Sequence, residues 1–153
     1  MKKKEIRAAL DALKRIRMPK IEDKALRNGI ITDHLTLLRE QRKLEADLRD
    51  LDTSHYADLE EDREKVADLQ ERLQLALGTK DHQKARELAN EIAEHRDYLA
   101  ATKACNKAIA DLMNEDVTIN GIPQDAFIEE IQKQDYDLGI IEAVYPMFKE
   151  TNQ

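Results

Sequence analysis

Asp62, Glu91 and His95 are the residues whose types and spacing could support chemistry. Glu91 and His95 lie one helical turn apart, and antiparallel pairing of two helices would place Asp62 opposite His95. A carboxylate beside a histidine can serve as half of a metal site or as an acid–base pair. Bundles that bind two metal ions need Glu-x-x-His pairs, and this chain contains none. We therefore interpret the pair as a polar layer that fixes the register of two helices, with metal-dependent activity as an alternative.

The other histidines, one glutamine and the single cysteine offer no further chemistry. His34, Gln41 and His55 lie on or near one apolar stripe and are interpreted as tolerated polar positions. His82 falls in a predicted exposed turn, and Cys105 is interpreted as an inert small side chain. The chain has no glycine-rich phosphate loop, nucleophile elbow or Cys/His metal spacing. These patterns predict that the protein is not an enzyme and uses no cofactor, metal ion or small-molecule substrate.

The composition favours long helices. Of the 153 residues, 37% are charged and 4% are aromatic, with only four glycines and three prolines, which is typical of coiled coils. The length fits a single domain over residues 1–153. Neither a membrane-spanning apolar run nor a secretory signal is recognisable. With one cysteine, no internal disulfide can form, so we expect a cytoplasmic protein.

Charge is unevenly distributed along the chain. The formal net charge is −7, although residues 1–20 alone carry +6. The cations that could contact nucleic acid are Lys3, Lys4, Arg7, Lys14, Arg15 and Arg17. A basic segment of this kind could bind nucleic acid, but the strongly acidic remainder of the chain would repel phosphate. We interpret the segment as an amphipathic helix with a solvated basic face, so nucleic acid is the less favoured partner.

Helices must position all these residues, and apolar spacing predicts where the helices run. A short helix is predicted over residues 3–17 and ends at Met18-Pro19. A second helix is expected from near Lys20 to residue 77, with a bend or break at 52–55 left open. A third helix is predicted over 81–113.

Gly78 is predicted to close the second helix in the left-handed conformation, so that the two long helices fold back on each other. Thr79 or Asp81 would cap the helix that follows. In this antiparallel hairpin, the numbers of two paired residues add to 157 or 158. The pairs are Leu73–Ala85, Leu69–Leu88, Val66–Ile92, Asp62–His95, Leu59–Leu99, His55–Thr102, Leu51–Asn106, Leu48–Ile109 and Leu44–Met113. Apolar residues meet in most layers, which predicts a long coiled-coil-like hairpin.

A stripe of small residues follows the helix over 81–113. Its members are Ala89, Ala93, Ala100, Ala104 and Ala108. Small side chains let another helix approach closely, so this stripe is a candidate surface for protein interaction. A lone hairpin covers each of its helices on one side only, and helices gain most of their stability from packing. We therefore expect protein partners and favour a homodimer.

The C-terminal part of the chain predicts a small base. Residues 117–119 are expected to be extended and to lead into a tight turn at Asn120-Gly121. A short helix over 126–133 follows, and Asp137 caps a last helix that Pro146 bends or ends. We predict an all-α fold with one short extended segment. Its arm spans about 44–113, and its base combines 1–43 with 114–150.

The two ends of the chain also share a recognisable order of motifs. A short helix ends in Met18-Pro19-Lys20, a long charged helix follows, Glu115-Asp116-Val117-Thr118-Ile119 comes later, and a tail ends near Met147-Phe148. This order resembles a family of small phage- and prophage-encoded proteins of uncharacterised function, over about residues 5–50 and 110–148. The resemblance implies a phage accessory or assembly-related protein, made in a bacterial cytoplasm or associated with the virion. It implies no catalytic residues.

The sequence thus predicts a non-enzymatic structural or interaction protein that binds protein partners through its helical hairpin. The alternative is an accessory protein that binds nucleic acid through its basic N-terminal helix.

Overall fold

The computed structural model describes residues 1–149, and the predicted all-α fold is confirmed within them. Seven α-helices follow one another along these residues. They are α1 (Ile6–Lys14), α2 (Lys24–His55), α3 (Glu60–Gly78), α4 (His82–Glu94), α5 (Arg96–Met113), α6 (Gln124–Ile131) and α7 (Leu138–Val144). The same residues form no sheet. Isolated bridges join Lys2 to Asp116 and Ile122 to Phe148.

The chain divides into two compact units. One unit, which we call the base unit, combines residues 1–47 with the segment that begins at Asp111. The other, the hairpin unit, consists of residues 48–110. Each unit has a hydrophobic cluster of its own.

The core of the base unit is built around α1, because its apolar residues recur every three or four positions and therefore share one face. Ile6 and Ala9 are fully buried, and α1 packs against α7. Burial of a large aliphatic side chain contributes roughly 1.5–3 kcal/mol. The other fully or nearly fully buried large residues of this core include Ile21, Ile30, Leu37, Ile122, Phe127, Ile131, Val144 and Met147.

The N-terminal helix boundaries are narrower than predicted. Lys3–Glu5 forms a 3-10 turn rather than α-helix, and the Lys3 backbone N–H donates to the Glu115 carbonyl at 3.0 Å. Met18–Lys20 forms a second 3-10 turn, so α2 does not start near Lys20. It starts at Lys24, because the Asp23 carboxylate accepts a hydrogen bond from the Leu26 backbone N–H at 3.0 Å and caps the helix.

The segment after α5 is extended but does not form a strand. Gly121 has φ of 90°, but Asn120-Gly121 does not form the predicted tight turn, since the chain stays extended there and the Ile122 N–H donates to the Met147 carbonyl at 2.9 Å. Helix α6 begins two residues earlier than predicted, at Gln124, and ends at Ile131. The predicted cap of the last helix is confirmed, since the Asp137 carboxylate accepts from the Ile140 backbone N–H at 3.1 Å. Pro146 lies in a 3-10 turn that directly follows α7.

In the hairpin unit, α3 and α4 pack against each other in the predicted antiparallel direction. Val66 and Leu88 are at most 1% exposed. Leu69, Ala76, Ala85 and Leu88 form one buried cluster, against which Leu73 and Ile92 pack. These are the layers nearest the turn in the predicted register.

The turn between α3 and α4 does not use Gly78 as predicted. Gly78 is the last residue of α3, and the left-handed residue is Lys80, with φ of 58°. The Asp81 N–H donates to the Ala76 carbonyl at 2.9 Å and the Lys80 N–H to the Leu77 carbonyl at 3.2 Å, the pattern of a Schellman motif. Asp81 then caps α4 through the Lys84 N–H at 3.1 Å, as predicted.

Neither long helix of the predicted hairpin is continuous. The chain leaves the helical conformation between α2 and α3, at residues 56–59, where Asp58 has φ of 62°. It leaves it again at His95, between α4 and α5. A single helix over 20–77 and a single helix over 81–113 are therefore both wrong. The two interruptions are offset in the hairpin register, because His95 faces Asp62 in the first turn of α3 rather than residues 56–59.

Candidate functional site

The Asp62–His95 pair forms as the register predicts. His95 Nδ1 lies 2.9 Å from Asp62 Oδ1, and both side chains are partly buried. His95 ends α4 with a ψ of 61°, so its ring reaches Asp62 from a helix end rather than from within a helix. Among the described residues, no three His, Cys, Asp or Glu side chains are grouped to hold a metal ion. Glu91 is exposed and makes no ion pair within residues 1–149.

A tyrosine pair beside Asp62 and His95 was not foreseen. The rings of Tyr56 and Tyr98 lie 5.5 Å apart between centroids. The Tyr56 hydroxyl donates to Thr102 Oγ1 at 3.0 Å. Thr102 was expected to face His55, whose Nδ1 instead lies 2.8 Å from the Leu51 carbonyl oxygen.

Arg63 joins this pair to the helix that precedes it. Its guanidinium lies 4.4 Å from the centroid of the Tyr56 ring and donates to both oxygens of Asp52, at 2.9 and 3.1 Å. The hydrogen bonds from Arg63 hold the pKa of Asp52 below its usual value. The same bonds raise the pKa of Arg63. A bidentate pair and a cation–π contact thus brace the interruption between α2 and α3.

The interruptions change which residues face inward beyond Asp62. Leu99 was predicted to meet Leu59, but Leu99 is 36% exposed, and Tyr98 is the neighbour that packs inward. Asn106 is exposed, and Cys105 is buried at 2% exposure, beside the position predicted to face Leu51. After the break at His95 the inward positions fall one residue earlier than predicted, at Tyr98 and Cys105, which a pattern read through a continuous helix cannot show.

The cleft beside Asp62 and His95 has about 310 Å³ of space and a charged lining. Glu94, Arg96 and Asp97 complete its walls. Pockets that bind small molecules are mostly apolar with a few polar groups. The lining of this cleft is more charged than that, and the Asp62–His95 contact links the first turn of α3 to the end of α4.

The remaining polar candidates of the sequence are scattered. His34 is half-buried, and its burial lowers its pKa, with Lys14 adding to the effect. The Gln41 amide donates to Glu45 at 3.2 Å. His82 is exposed at the start of α4. No two of these residues form a hydrogen-bonded pair within residues 1–149.

Three of the six predicted basic N-terminal residues are paired with carboxylates within the base unit. Lys3 is buried and pairs with Glu115 at 2.6 Å, and Arg15 pairs with Asp137. The hydrogen bond from Arg15 lowers the pKa of Asp137. Arg7 lies 3.5 Å from Asp11. The exposed cations of the predicted set that make no ion pair within residues 1–149 are Lys4, Lys14 and Arg17.

The predicted alanine stripe is divided by the break at His95. Ala89 and Ala93 are exposed on α4, and Ala100 and Ala104 are exposed on α5. Ala108 is half-buried. Because α4 and α5 have different helical phases, the two groups do not form one continuous stripe.

One side of the α3–α4 hairpin carries a patch of six uncharged residues over about three turns, bordered by Glu71 and Arg86, which sequence reasoning missed. Its members are Ala67, Gln70, Gln74 and Leu77 on α3 and Ala89 and Ala93 on α4, and all six are exposed. We call them the uncharged face. A groove of about 590 Å³ lies on this side. Its lining residues are Gln70, Glu71, Leu73, Gln74, Ala89 and Ile92. The spacing of 67, 70, 74 and 77 repeats every three or four residues, so a search for uncharged exposed stripes would have found it.

The opposite side of the hairpin is densely charged. Its members are Glu61, Lys65, Asp68 and Arg72 on α3 and Lys84, Glu87, Glu91 and Glu94 on α4, and all are exposed. On α3 they pair with each other, Lys65 with Glu61 and Arg72 with Asp68, each at 3.1 Å. This charged face is an ordinary solvated helix surface, which sets the uncharged face apart.

No helix in the described part of the chain is both long enough and apolar enough to cross a bilayer. No family model, curated protein or solved structure matches the chain.

Proposed function

We propose that this protein is a non-enzymatic interaction protein whose coiled-coil-like hairpin, α3 with α4, binds protein subunits. The observation that carries the proposal is the uncharged face. In a chain with 37% charged residues, six exposed uncharged positions share one side of one hairpin. Covering such a surface costs less hydration than covering a charged one, provided that the glutamine amides find hydrogen-bond partners. Exposed Leu77, at 50%, adds apolar area near the turn.

The proposal is tested by affinity capture with the full chain as bait. Ala89→Glu places a charge in the groove without disturbing the buried core, since Ala89 is exposed. Glu91→Arg changes a charge on the opposite side of α4 and is the matched control. We expect proteins retained by the wild type and by Glu91→Arg to be lost with Ala89→Glu. Equal retention by all three baits would contradict a role for this face.

We also propose a phage or prophage accessory role in a bacterial cell or its virions. The support is the resemblance of residues 5–50 and 110–148 to the phage-encoded family described from the sequence. Mass spectrometry of purified particles and of the cytoplasm of a lysogenic host distinguishes a virion component from a cytoplasmic accessory protein. Detection in neither fraction after induction would contradict this role.

Nucleic-acid binding has less support. Lys3 and Arg15, two of the cations on which it depends, are engaged by Glu115 and Asp137. Charge that is already paired contributes little to phosphate binding. A metal-dependent activity at Asp62 and His95 likewise lacks a third ligand among the described residues.

A further inference from the structure

We propose that the uncharged face of the hairpin packs against the same face of a second copy of this chain, related to the first by a two-fold axis along the hairpin. This inference rests on the proposed interaction function and names the partner. Two hairpins joined in this way form four helices, in which α3 of each copy lies antiparallel on α4 of the other.

The chemistry of the face suits a second copy of itself. A glutamine amide carries both a donor and an acceptor, so the side chains of Gln70 and Gln74 are complementary to the same side chains in another copy. Neither makes a side-chain hydrogen bond within the described residues. Ala89 and Ala93 let a facing helix approach closely. A partner surface with many charges would lose its hydration against this face and find only Glu71 and Arg86, at the margin, as counter-charges.

One pair of charges at the margin also favours this symmetry. Glu71 lines the groove from α3, and Arg86 is exposed on α4. The register that pairs Asp62 with His95 places Glu71 level with Arg86, yet neither makes an ion pair within residues 1–149. A two-fold axis along the hairpin sets Glu71 of each copy over Arg86 of the other. Symmetry therefore supplies two complementary pairs from one pair of residues.

The charged face is less suited to a second copy, because its α3 cations, Lys65 and Arg72, already pair with Glu61 and Asp68. On α4 it carries Glu87, Glu91 and Glu94 with a single cation, Lys84. Two copies joined through it would bring six glutamates into one interface, and close like charges disfavour association. The uncharged face is therefore the better match for a second copy.

Sedimentation equilibrium of the full chain tests the interface through charge exchange. We expect a dimer for the wild type. Glu71→Arg and Arg86→Glu should each weaken the dimer by about tenfold, since symmetry applies each change twice. The double variant Glu71→Arg/Arg86→Glu should recover most of the lost affinity. Glu91→Arg, on the charged face, should leave the dissociation constant unchanged.

Circular dichroism melts of each variant check that the monomer still folds, as expected for exposed positions. The proposed interface is overturned if neither single charge reversal changes the dissociation constant of the dimer. It is also overturned if the double variant dimerises no more tightly than the single variants. A wild type that stays monomeric also overturns it. In each of these cases the capture experiment can still identify another protein on the same face, so the proposed function is judged separately.

Discussion

Asp33 is the polar side chain most fully removed from water in the described residues, with no exposed surface. Its two carboxylate oxygens accept hydrogen bonds from the backbone N–H groups of Asn120 and Gly121, both at 3.0 Å. Asp33 lies three residues after Ile30 and four before Leu37, in the middle of the buried stripe of α2. A carboxylate in the middle of an apolar stripe is the sequence feature that could have identified Asp33 as a buried structural residue. Its role is to hold the extended segment before α6 against α2.

Asp33→Ala should lower the free energy of unfolding of the base unit by about 3 kcal/mol, because it leaves two buried N–H donors without an acceptor. Urea unfolding followed by circular dichroism measures the change. Asp50→Ala, at an exposed position of the same helix, is the control and should change stability by less than about 0.5 kcal/mol. Similar losses of stability for Asp33→Ala and Asp50→Ala would show that Asp33 does not hold the segment at Asn120-Gly121 in place.

His34 gives the base unit a dependence on pH. Burial, with a smaller effect from Lys14, lowers its pKa below the ordinary value of 6.5. The folded state therefore favours the neutral ring, and the unfolded state binds more protons below about pH 6.5. The stability contributed by neutral His34 is present above that pH and is lost as pH falls through the lowered pKa of the folded state.

Replacing His34 by Gln should therefore reduce the loss of stability between about pH 7 and pH 5. Urea unfolding midpoints at several pH values give this loss for the wild type and for His34→Gln. His82 is exposed, so His82→Gln should retain the wild-type loss. If the unfolding midpoints of the wild type and His34→Gln fall in parallel as pH decreases, His34 is not the source of the pH dependence.

At the scale of elements, the α3–α4 turn depends on Lys80 rather than Gly78. A Cβ added at Gly78 meets nothing within 4 Å, and Gly78 has helical geometry. Gly78→Ala should therefore raise the free energy of unfolding by about 0.5–1 kcal/mol. Lys80→Gly should also stabilise, because the left-handed conformation costs a non-glycine residue roughly 1–2 kcal/mol. Thermal melts measure the stability of both variants. Destabilisation by Gly78→Ala would indicate that Gly78, rather than Lys80, adopts the left-handed conformation.

The packing of α3 on α4 depends on Val66, which has no exposed surface. Val66→Asp should reduce stability by at least about 3 kcal/mol, because it places an unpaired carboxylate in an apolar layer. Leu75→Asp is the control, since Leu75 is 67% exposed on the same helix. Leu59→Asp should cost less stability than Val66→Asp, because Leu59 is only half-buried at the start of α3. Equal melting temperatures for Val66→Asp and Leu75→Asp would show that Val66 does not lie in a buried apolar layer.

The sequence allowed the Asp62–His95 contact to be predicted because leucine and alanine spacing fixes the level of each residue in a hairpin. It did not allow the Tyr56–Tyr98 contact to be predicted, because that contact exists only where both helices are interrupted. Residues 56–59 contain no glycine or proline, and His95 is flanked by good helix formers. Tyr56 and His95 contact the facing arm at the breaks, through Thr102 and Asp62, and Arg63 binds Tyr56 and Asp52 on its own arm. Tertiary contacts of this kind override local propensity.

At the scale of the whole molecule, the two units differ in how much core they bury. The base unit buries a cluster of 17 residues, whereas the buried cluster between α3 and α4 has four, two of them alanine. Local stability follows the apolar area that a segment buries. The hairpin unit should therefore open more readily than the base unit, which suits a segment proposed to form an interface.

Hydrogen exchange followed by mass spectrometry tests this difference in the full chain. Amides of α3 and α4 should exchange faster than amides at residues 26–37 of α2, because a smaller core protects them. Leu88→Ala should accelerate exchange in the hairpin unit by lowering its stability about 2–4 kcal/mol, and should leave residues 26–37 unchanged. Raising the protein concentration should slow exchange at Gln70 and Gln74 if the uncharged face closes on a second copy. Uniform exchange across both units, with a uniform response to Leu88→Ala, would mean that the chain unfolds as one cooperative unit.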